Sequence, residues 1–362
     1  GKHKEYTVSA EGSPYFNCTK MHIADSLGLD PITVDFELER GIAIRGRLLD
    51  RFTGKPIPGH VSYISSPDNP NLKDFATLGG LHVHAVDGGK TKADGSFTVI
   101  AAPGPGLLGA SADDRIGYVA TNLDGIKFSG NAILDVYHTV VPINPSRDDP
   151  QSATCDLVLE PSRVLGGSVI DPDGKPLAGA LAAGLGATAE IFGFREAKLP
   201  TASFTAGVDP KRPRFLFFFH PEKRLAKLHP VRGDEAGTLM VRLEPLSSVT
   251  GRVLDANGNP RAGLKVAILH SFQREDYKGI PLDLIFDYPS WTKLIDSEAA
   301  TDAEGKFRVE GLVPGLKYHL QIKDGESVLP GYTQRDLVPE SNQIKDLGDL
   351  KDKPMSQKGT KE

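Results

Sequence analysis

Few residues in this chain are placed to do chemistry, and His82-Val-His84 is the sharpest candidate. On a strand, positions i and i+2 share a face, so two imidazoles at this spacing could hold one metal ion. Glycine pairs flank the segment, Gly79-Gly80 and Gly88-Gly89, and a solvated or hydrogen-bonded histidine pair explains it without a metal. Tyr288 and Trp291, in Phe286-Asp-Tyr-Pro-Ser-Trp291, could offer aromatic faces to a sugar ring. The competing reading is an insertion that buries its aromatics as a plug over the end of a domain. Asp171-Pro-Asp-Gly174 and Asp255-Ala-Asn-Gly258 open like a calcium loop. Both lack the further oxygen ligands and the distal Glu, so turn chemistry suffices. Arg232-Gly-Asp234 reads as an adhesive tripeptide, but Gly-Asp is also an ordinary turn.

Other chemistries lack their signatures. The sequence holds no Gly-x-Ser-x-Gly, no phosphate-cradling Gly-x-x-x-x-Gly-Lys-Ser/Thr and no His-Glu-x-x-His. Cys18 and Cys155 are the only thiols, and two cysteines make no disulfide framework. A single bridge between them is one reading; two buried free thiols is the other. The expectation is a chain with no catalytic residue and no cofactor.

These residues need elements to position them, and the composition says which kind. With 39 Gly, 27 Pro, 3 Met and 1 Trp in 362 residues, the chain fits many short strands joined by tight turns. That length accommodates two to four domains, each with its own core. A net charge of −5 and a pI near 6.1 argue against a nucleic-acid partner, which requires a basic face. The most apolar run, Phe215 to Phe219, is of strand length and far short of the roughly 20 residues that cross a bilayer.

One pattern returns three times. Thr250-Gly-Arg-Val-Leu-Asp-Ala-Asn-Gly-Asn-Pro-Arg-Ala-Gly-Leu-Lys-Val266 reads as strand, tight turn, strand. Val249, Gly251 and Val253, then Leu264, Val266 and Ile268, alternate as in strands with one buried face. Asn257-Gly258 supplies the positive backbone angle of a hairpin turn, and Pro260 presets the exit. Ile44 to Gly59 and Val164 to Ala180 repeat the scheme. Later in two of the repeats come Asp94-Gly-Ser-Phe97 and Asp302-Ala-Glu-Gly-Lys-Phe307, turns whose Phe97, Val99, Phe307 and Val309 face the core. Arg214-Phe-Leu-Phe-Phe-Phe-His220 is apolar on both faces and therefore central, with Gly237 to Leu243 as its expected partner. The long segment 113–147 is expected to cover one end of its domain.

The pattern Gly-Arg-Val-Leu-Asp, Gly-Asn/Lys-Pro, Ala-Gly, then Thr-Asp-x-x-Gly-x-Phe and Gly-Leu-x-Pro-Gly-x-x-Tyr resembles the carboxypeptidase regulatory-like domain. The likeness is fullest over Thr250 to Tyr318, good over Arg45 to Gly59 and Ala93 to Gly106, and limited to Gly167 to Ala180 in the middle repeat. It implies an all-β chain of tandem Greek-key β-sandwich (prealbumin/Ig-like) domains, seven strands each, in an extracytoplasmic setting. It does not imply peptidase activity, because these domains accompany the catalytic unit of that family and lack its residues. Related prealbumin-like dioxygenases bind iron through a His-x-His pair that follows the Asp-Gly-x-Phe hairpin. Here His82 and His84 precede Asp94-Gly95-Ser96-Phe97, and no matching tyrosine pair is visible. Related pilin-type repeats carry Lys–Asn isopeptide bonds, whereas the first strands here offer Arg47 and Arg252, which lack the required amine.

The expected organisation is a truncated repeat over 1–40, sandwiches over 41–160, 161–244 and 245–350, and a disordered charged tail over 351–362. The opening segment is expected to be closing strands, Tyr6 to Ala10 and Ile32 to Glu39, of a domain whose start lies upstream. The expected function is a non-catalytic structural and interaction array in an exported or cell-surface bacterial protein. Its partners would be protein or polysaccharide at the cell surface and neighbouring domains of a longer polypeptide. The alternative is a carbohydrate-binding accessory module of a secreted enzyme.

Overall fold

The computed structural model describes residues 5–10, 18–24, 31–35, 40–74, 87–126, 134–186, 197–270, 297–332 and 334–351. The protein is all-β, as the repeat pattern predicts. Regular structure in these residues is strand, apart from short 3-10 turns. Among them no helix is long and apolar enough to cross a membrane. Residues 1–163 and 164–362 form two compact units.

In the first unit, β1 (Glu5–Ala10) and β2 (Cys18–Ala24) pair antiparallel. Residues 31–35, expected to belong to a strand, carry no ladder, and 36–39 lie outside the described residues. The first sandwich follows. It comprises β3 (Ile42–Asp50), β4 (Gly59–Ser65), β5 (Asp87–Lys90), β6 (Ser96–Ala101), β7 (Gly106–Ala112), β8 (Thr139–Ile143) and β9 (Leu157–Leu159). They form a three-stranded sheet, β6-β3-β9, and a four-stranded sheet, β5-β4-β7-β8. Between the sheets lie Ile44, Leu48, Val61, Tyr63, Phe97, Val99, Leu108, Leu157 and Leu159, all buried. Each fully buried large side chain of this kind contributes about 1.5–3 kcal/mol.

The second unit repeats the arrangement twice. Its first part comprises β10 (Arg163–Ile170), β11 (Leu181–Ala183), β12 (Ala197–Lys198), β13 (Ser203–Val208), β14 (Arg214–His220), β15 (Leu225–Val231), β16 (Leu239–Arg242) and β17 (Glu244–Pro245). Its second comprises β18 (Ser247–Leu254), β19 (Lys265–His270), β20 (Ser297–Ala300), β21 (Lys306–Leu312), β22 (Tyr318–Asp324), β23 (Ser327–Val328), β24 (Gln334–Leu337) and β25 (Ile344–Lys351). The orders β13-β10-β16 and β21-β18-β25 match β6-β3-β9, with the closing strand parallel to the opening one in every case. The second strand of each repeat lies in the facing sheet, paired with β7, β14 or β22. This is the Greek-key sandwich three times over.

The structure corrects two pairings expected from sequence. The opening turn of each repeat is tight, but its two strands do not form a hairpin. After Gly258 (φ 88°), Arg261 N donates to Val253 O at 2.9 Å and one bridge forms, Leu254 to Pro260. Proline has no N–H with which to extend the ladder, and the chain then crosses to the other sheet, where β19 pairs with β22. Bridges Leu49–Pro56 and Ile170–Pro176 mark the same departure in the other repeats. The second correction concerns β14. It is central, as its composition requires, but its partners are β11 and β15, whereas β16 pairs with β10.

Why β14 is apolar on both faces is visible in its packing. Leu216 and Phe218 belong to the core of the second sandwich. Phe217, with Ala183 and Ala226, joins the apolar cluster that contains Val249, Phe307 and Tyr318 of the third. One sheet therefore has a core on each side. The junction between these sandwiches is itself a strand, since Glu244 and Pro245 pair with Ala226 and Leu225. Lys227 pairs with Glu244, and Arg224 reaches Glu310 at 3.1 Å.

Candidate functional site

The recurring acidic residues sit where the opening strands turn. Asp255 Oδ1 accepts hydrogen bonds from Asn257 N (2.9 Å) and Asn259 N (2.8 Å). Asp171 Oδ1 accepts from Asp173 N (3.0 Å) and Lys175 N (2.9 Å), and Asp50 Oδ1 from Phe52 N (3.0 Å) and Thr53 N (2.8 Å). In the later turn Asp302 Oδ1 does the same for Glu304 N and Lys306 N. These are carboxylates satisfying their own turns, the Asx chemistry that makes Asp common there. The donors hold Asp50 and Asp255 below the usual carboxylate range, led by the Thr53 N–H in the first case and the Asn259 side chain in the second. A calcium ion would have to displace those donors. Among the described residues no cluster of three or more His, Cys, Asp or Glu is placed to hold a metal.

Arg232-Gly233-Asp234 is a closed turn. Gly233 has φ 85° and is buried, and its N–H, like that of Arg232, donates to the Glu235 carboxylate. Arg232 and Asp234 are exposed on either side. Nearby, Arg214 is almost wholly buried, and its guanidinium donates to the carbonyls of Gly184, Leu185 and Gly207. Burial lowers it to about 10, so it stays charged at neutral pH as the cationic pin of that strand end.

The end of the first sandwich brings together His138, Tyr118 and Asp50. After β7 the chain runs as 113–126 against the segment that leaves β9. Val119 N donates to Glu160 O and Ser162 N to Gly117 O, both at 2.9 Å, and Tyr118 bridges to Pro161. The expected cover over this end is thus present in 113–126. Beneath it lies His138, 3% exposed. Its Nδ1 accepts from Ala112 N at 3.1 Å, which fixes Nε2 as the protonated nitrogen. Tyr118 stacks edge-on at 6.1 Å, and the Tyr118 hydroxyl donates to Asp50 Oδ2 at 3.4 Å. Burial pushes His138 down to about 4, so the ring is neutral near pH 7. Sequence reasoning missed this residue. Its one signal is alternation: 138 shares the inward face with Val140.

The candidates read from sequence fall elsewhere. His82, His84, Tyr288 and Trp291 lie outside the described residues, as does the tail from 352 onward. Cys155 is a free thiol, partly buried against the first core, and burial pushes it up. The side chain of Cys18 is outside the described set.

No family model matches the chain, and no curated protein matches it. Among solved structures it is similar to the Bacillus anthracis TIE protein, at 12% identity and TM-score 0.21, covering 96% of this chain and 57% of that one. It is likewise similar to a streptococcal ancillary pilin (10%, TM-score 0.22, 87% and 100%). A third is the full-length major pilin SpaD from Corynebacterium diphtheriae (11%, TM-score 0.22, 88% and 98%). Superpositions this loose say nothing of function.

Proposed function

We propose that this chain is a non-catalytic array of tandem carboxypeptidase regulatory-like β-sandwiches in an exported or cell-surface protein. Its sandwiches are assigned to 41–160, 161–244 and 245–350, and its partners are protein or polysaccharide at the cell surface. One observation carries the reading: the recurring polar residues are consumed by folding. Asp50, Asp171, Asp255 and Asp302 commit carboxylate oxygens to the N–H groups of their own turns. Gly46, Gly167 and Gly251 leave room for the rings of Phe97, Phe204 and Phe307. A motif whose members all serve the fold is that of a scaffold, with the contact chemistry left to the loops that vary between repeats.

A glycan array probed with the whole chain, with Trp291 fluorescence read alongside, tests this. The expected result is retention of no glycan and an unchanged emission. Saturable binding of one glycan with a shift in Trp291 emission overturns the scaffold reading in favour of a carbohydrate-binding accessory module. Titration of zinc or iron by calorimetry tests a metal at His82 and His84: no heat at stoichiometric metal ends that reading, and heat abolished by H82A/H84A would establish a metal site there.

A further inference from the structure

We propose that His138 is the latch of an acid-released strap, in which residues 113–126 are held over the end of the first sandwich near pH 7 and released when the ring takes up a proton. The strap begins where the latch sits. Ala112, the last residue of β7, donates its N–H to His138 Nδ1 at 3.1 Å, and Asp113 N donates to Pro58 O at 2.9 Å. A second anchor is the main chain just before His138, where Thr121 N of the strap donates to Tyr137 O at 2.9 Å. Beyond these points the strap is held by the segment that leaves β9, through Val119 N to Glu160 O and Ser162 N to Gly117 O.

Protonation reverses the first contact. A charged imidazole carries hydrogen on both nitrogens, so Nδ1 would present a donor to the Ala112 donor in a site 3% exposed. Two donors facing each other out of water cannot both be satisfied. Nε2 gives too little relief: it is buried, and the pull of the neighbouring Arg115 main chain on a charged ring is outweighed by the cost of burial.

The charged neighbours leave the cation uncompensated. On the strap are Asp114 and Arg115, of opposite sign, and Asp114 Oδ1 accepts from Ile116 N and Gly117 N at 3.1 Å. From β3, Asp50 is engaged by Tyr118 and by its own turn. On β4, His60 is exposed, and Glu160 pairs with Arg51 at 3.6 Å. The proton is therefore accommodated by moving the ring out, and the ring is roofed by Tyr118 of the strap. Opening the strap frees the chain at Pro161, the point where it leaves the first sandwich.

Hydrogen exchange on the whole chain, corrected for intrinsic rates, tests this between about pH 7.5 and about pH 4. Peptides covering 113–126 should lose about tenfold or more of their protection across that range, relative to β3 and β6 peptides of the same sandwich in the same sample. His138→Asn, whose Oδ1 accepts from Ala112 N and does not titrate, should abolish that loss. Equal loss in wild type and variant overturns the proposal. Should the variant fail to fold, the wild-type ring is titrated by NMR beside the 113–126 amides. Coincident midpoints support the latch, and a strap that opens while His138 stays neutral, or stays closed once it is charged, overturns it.

Discussion

Gly251 and Phe307 are cross-strand partners, and a Cβ added to the glycine would lie 2.8 Å from the ring of the phenylalanine. The ring fills the space where a side chain would stand and shields the glycine backbone. Gly46 pairs with Phe97 in the same way, and Gly167 lies against Phe204. The recurring glycine and the recurring aromatic are thus one packing unit, kept though they lie between 37 and 56 residues apart in sequence.

The three glycines should respond differently to alanine. At Gly251 and Gly167 the obstacle is a ring that can shift, though 2.2 Å to Phe204 requires the larger movement. At Gly46 it is the Cys155 carbonyl oxygen, 1.8 Å away, which is backbone and cannot turn aside. Gly46→Ala should therefore separate β9 from β3 and unfold the first sandwich, while Gly251→Ala lowers stability by about 1–3 kcal/mol, the usual cost of overpacking. Phe307→Ala, which empties the site, should cost about 3–5 kcal/mol. Urea melts followed by exchange of β3 and β18 peptides would separate these outcomes.

Asp171 distinguishes a turn from a metal loop. Replacing it with Ala removes the acceptor for Asp173 N and Lys175 N and should cost about 1–3 kcal/mol, whereas Asn keeps an oxygen in place and should cost much less. Calcium at millimolar excess should leave the melting temperature of all three proteins unchanged. A calcium-dependent rise seen only in wild type would show that the donors yield to an ion.

Much of this was legible in the chain itself. Alternation placed Val249, Val253, Leu264, Val266 and Ile268 on buried faces, and all are buried. Gly54, Gly174 and Gly258 do hold positive φ. Turn chemistry, however, fixes only the local bend. Whether the chain leaving Pro260 pairs back or crosses is decided by strands far along the sequence, β21 and β25 for one sheet and β22 for the other. The same distance hid the partners of β14. At the site, Asp171 and Asp255 were readable because an Asx turn is local. His138 was not, since its partners Ala112 and Tyr118 come from other segments.

The double-faced strand makes a further expectation. Phe217 is 1% exposed and packs toward the third sandwich, while Phe218 faces its own. Residues 164–351 should therefore unfold in one transition. Phe218→Ala should destabilise that transition by about 3–5 kcal/mol without splitting it. Phe217→Asp, which buries a charge between the two cores, should split it into two, and calorimetry reads the difference directly.

Acid should weaken the second unit through His270. This ring is 1% exposed, stacked edge-on to Tyr318 at 6.2 Å, and burial, then the charge of His319, push it down to about 4. In the unfolded chain the same imidazole titrates near 6.5. Between those values the unfolded state binds a proton that the folded state refuses, so stability is fully present above about pH 6.5 and falls as the pH drops toward about 4. Below that the folded ring also titrates and the slope ends. At about 1.4 kcal/mol for each pH unit, the loss is on the order of 3 kcal/mol. Chemical denaturation at steps across this window should show it, and His270→Phe should remove that part of the slope while leaving the first unit's profile unchanged. A His270→Phe profile as steep as wild type would mean that other groups take up the proton, because a phenyl ring cannot.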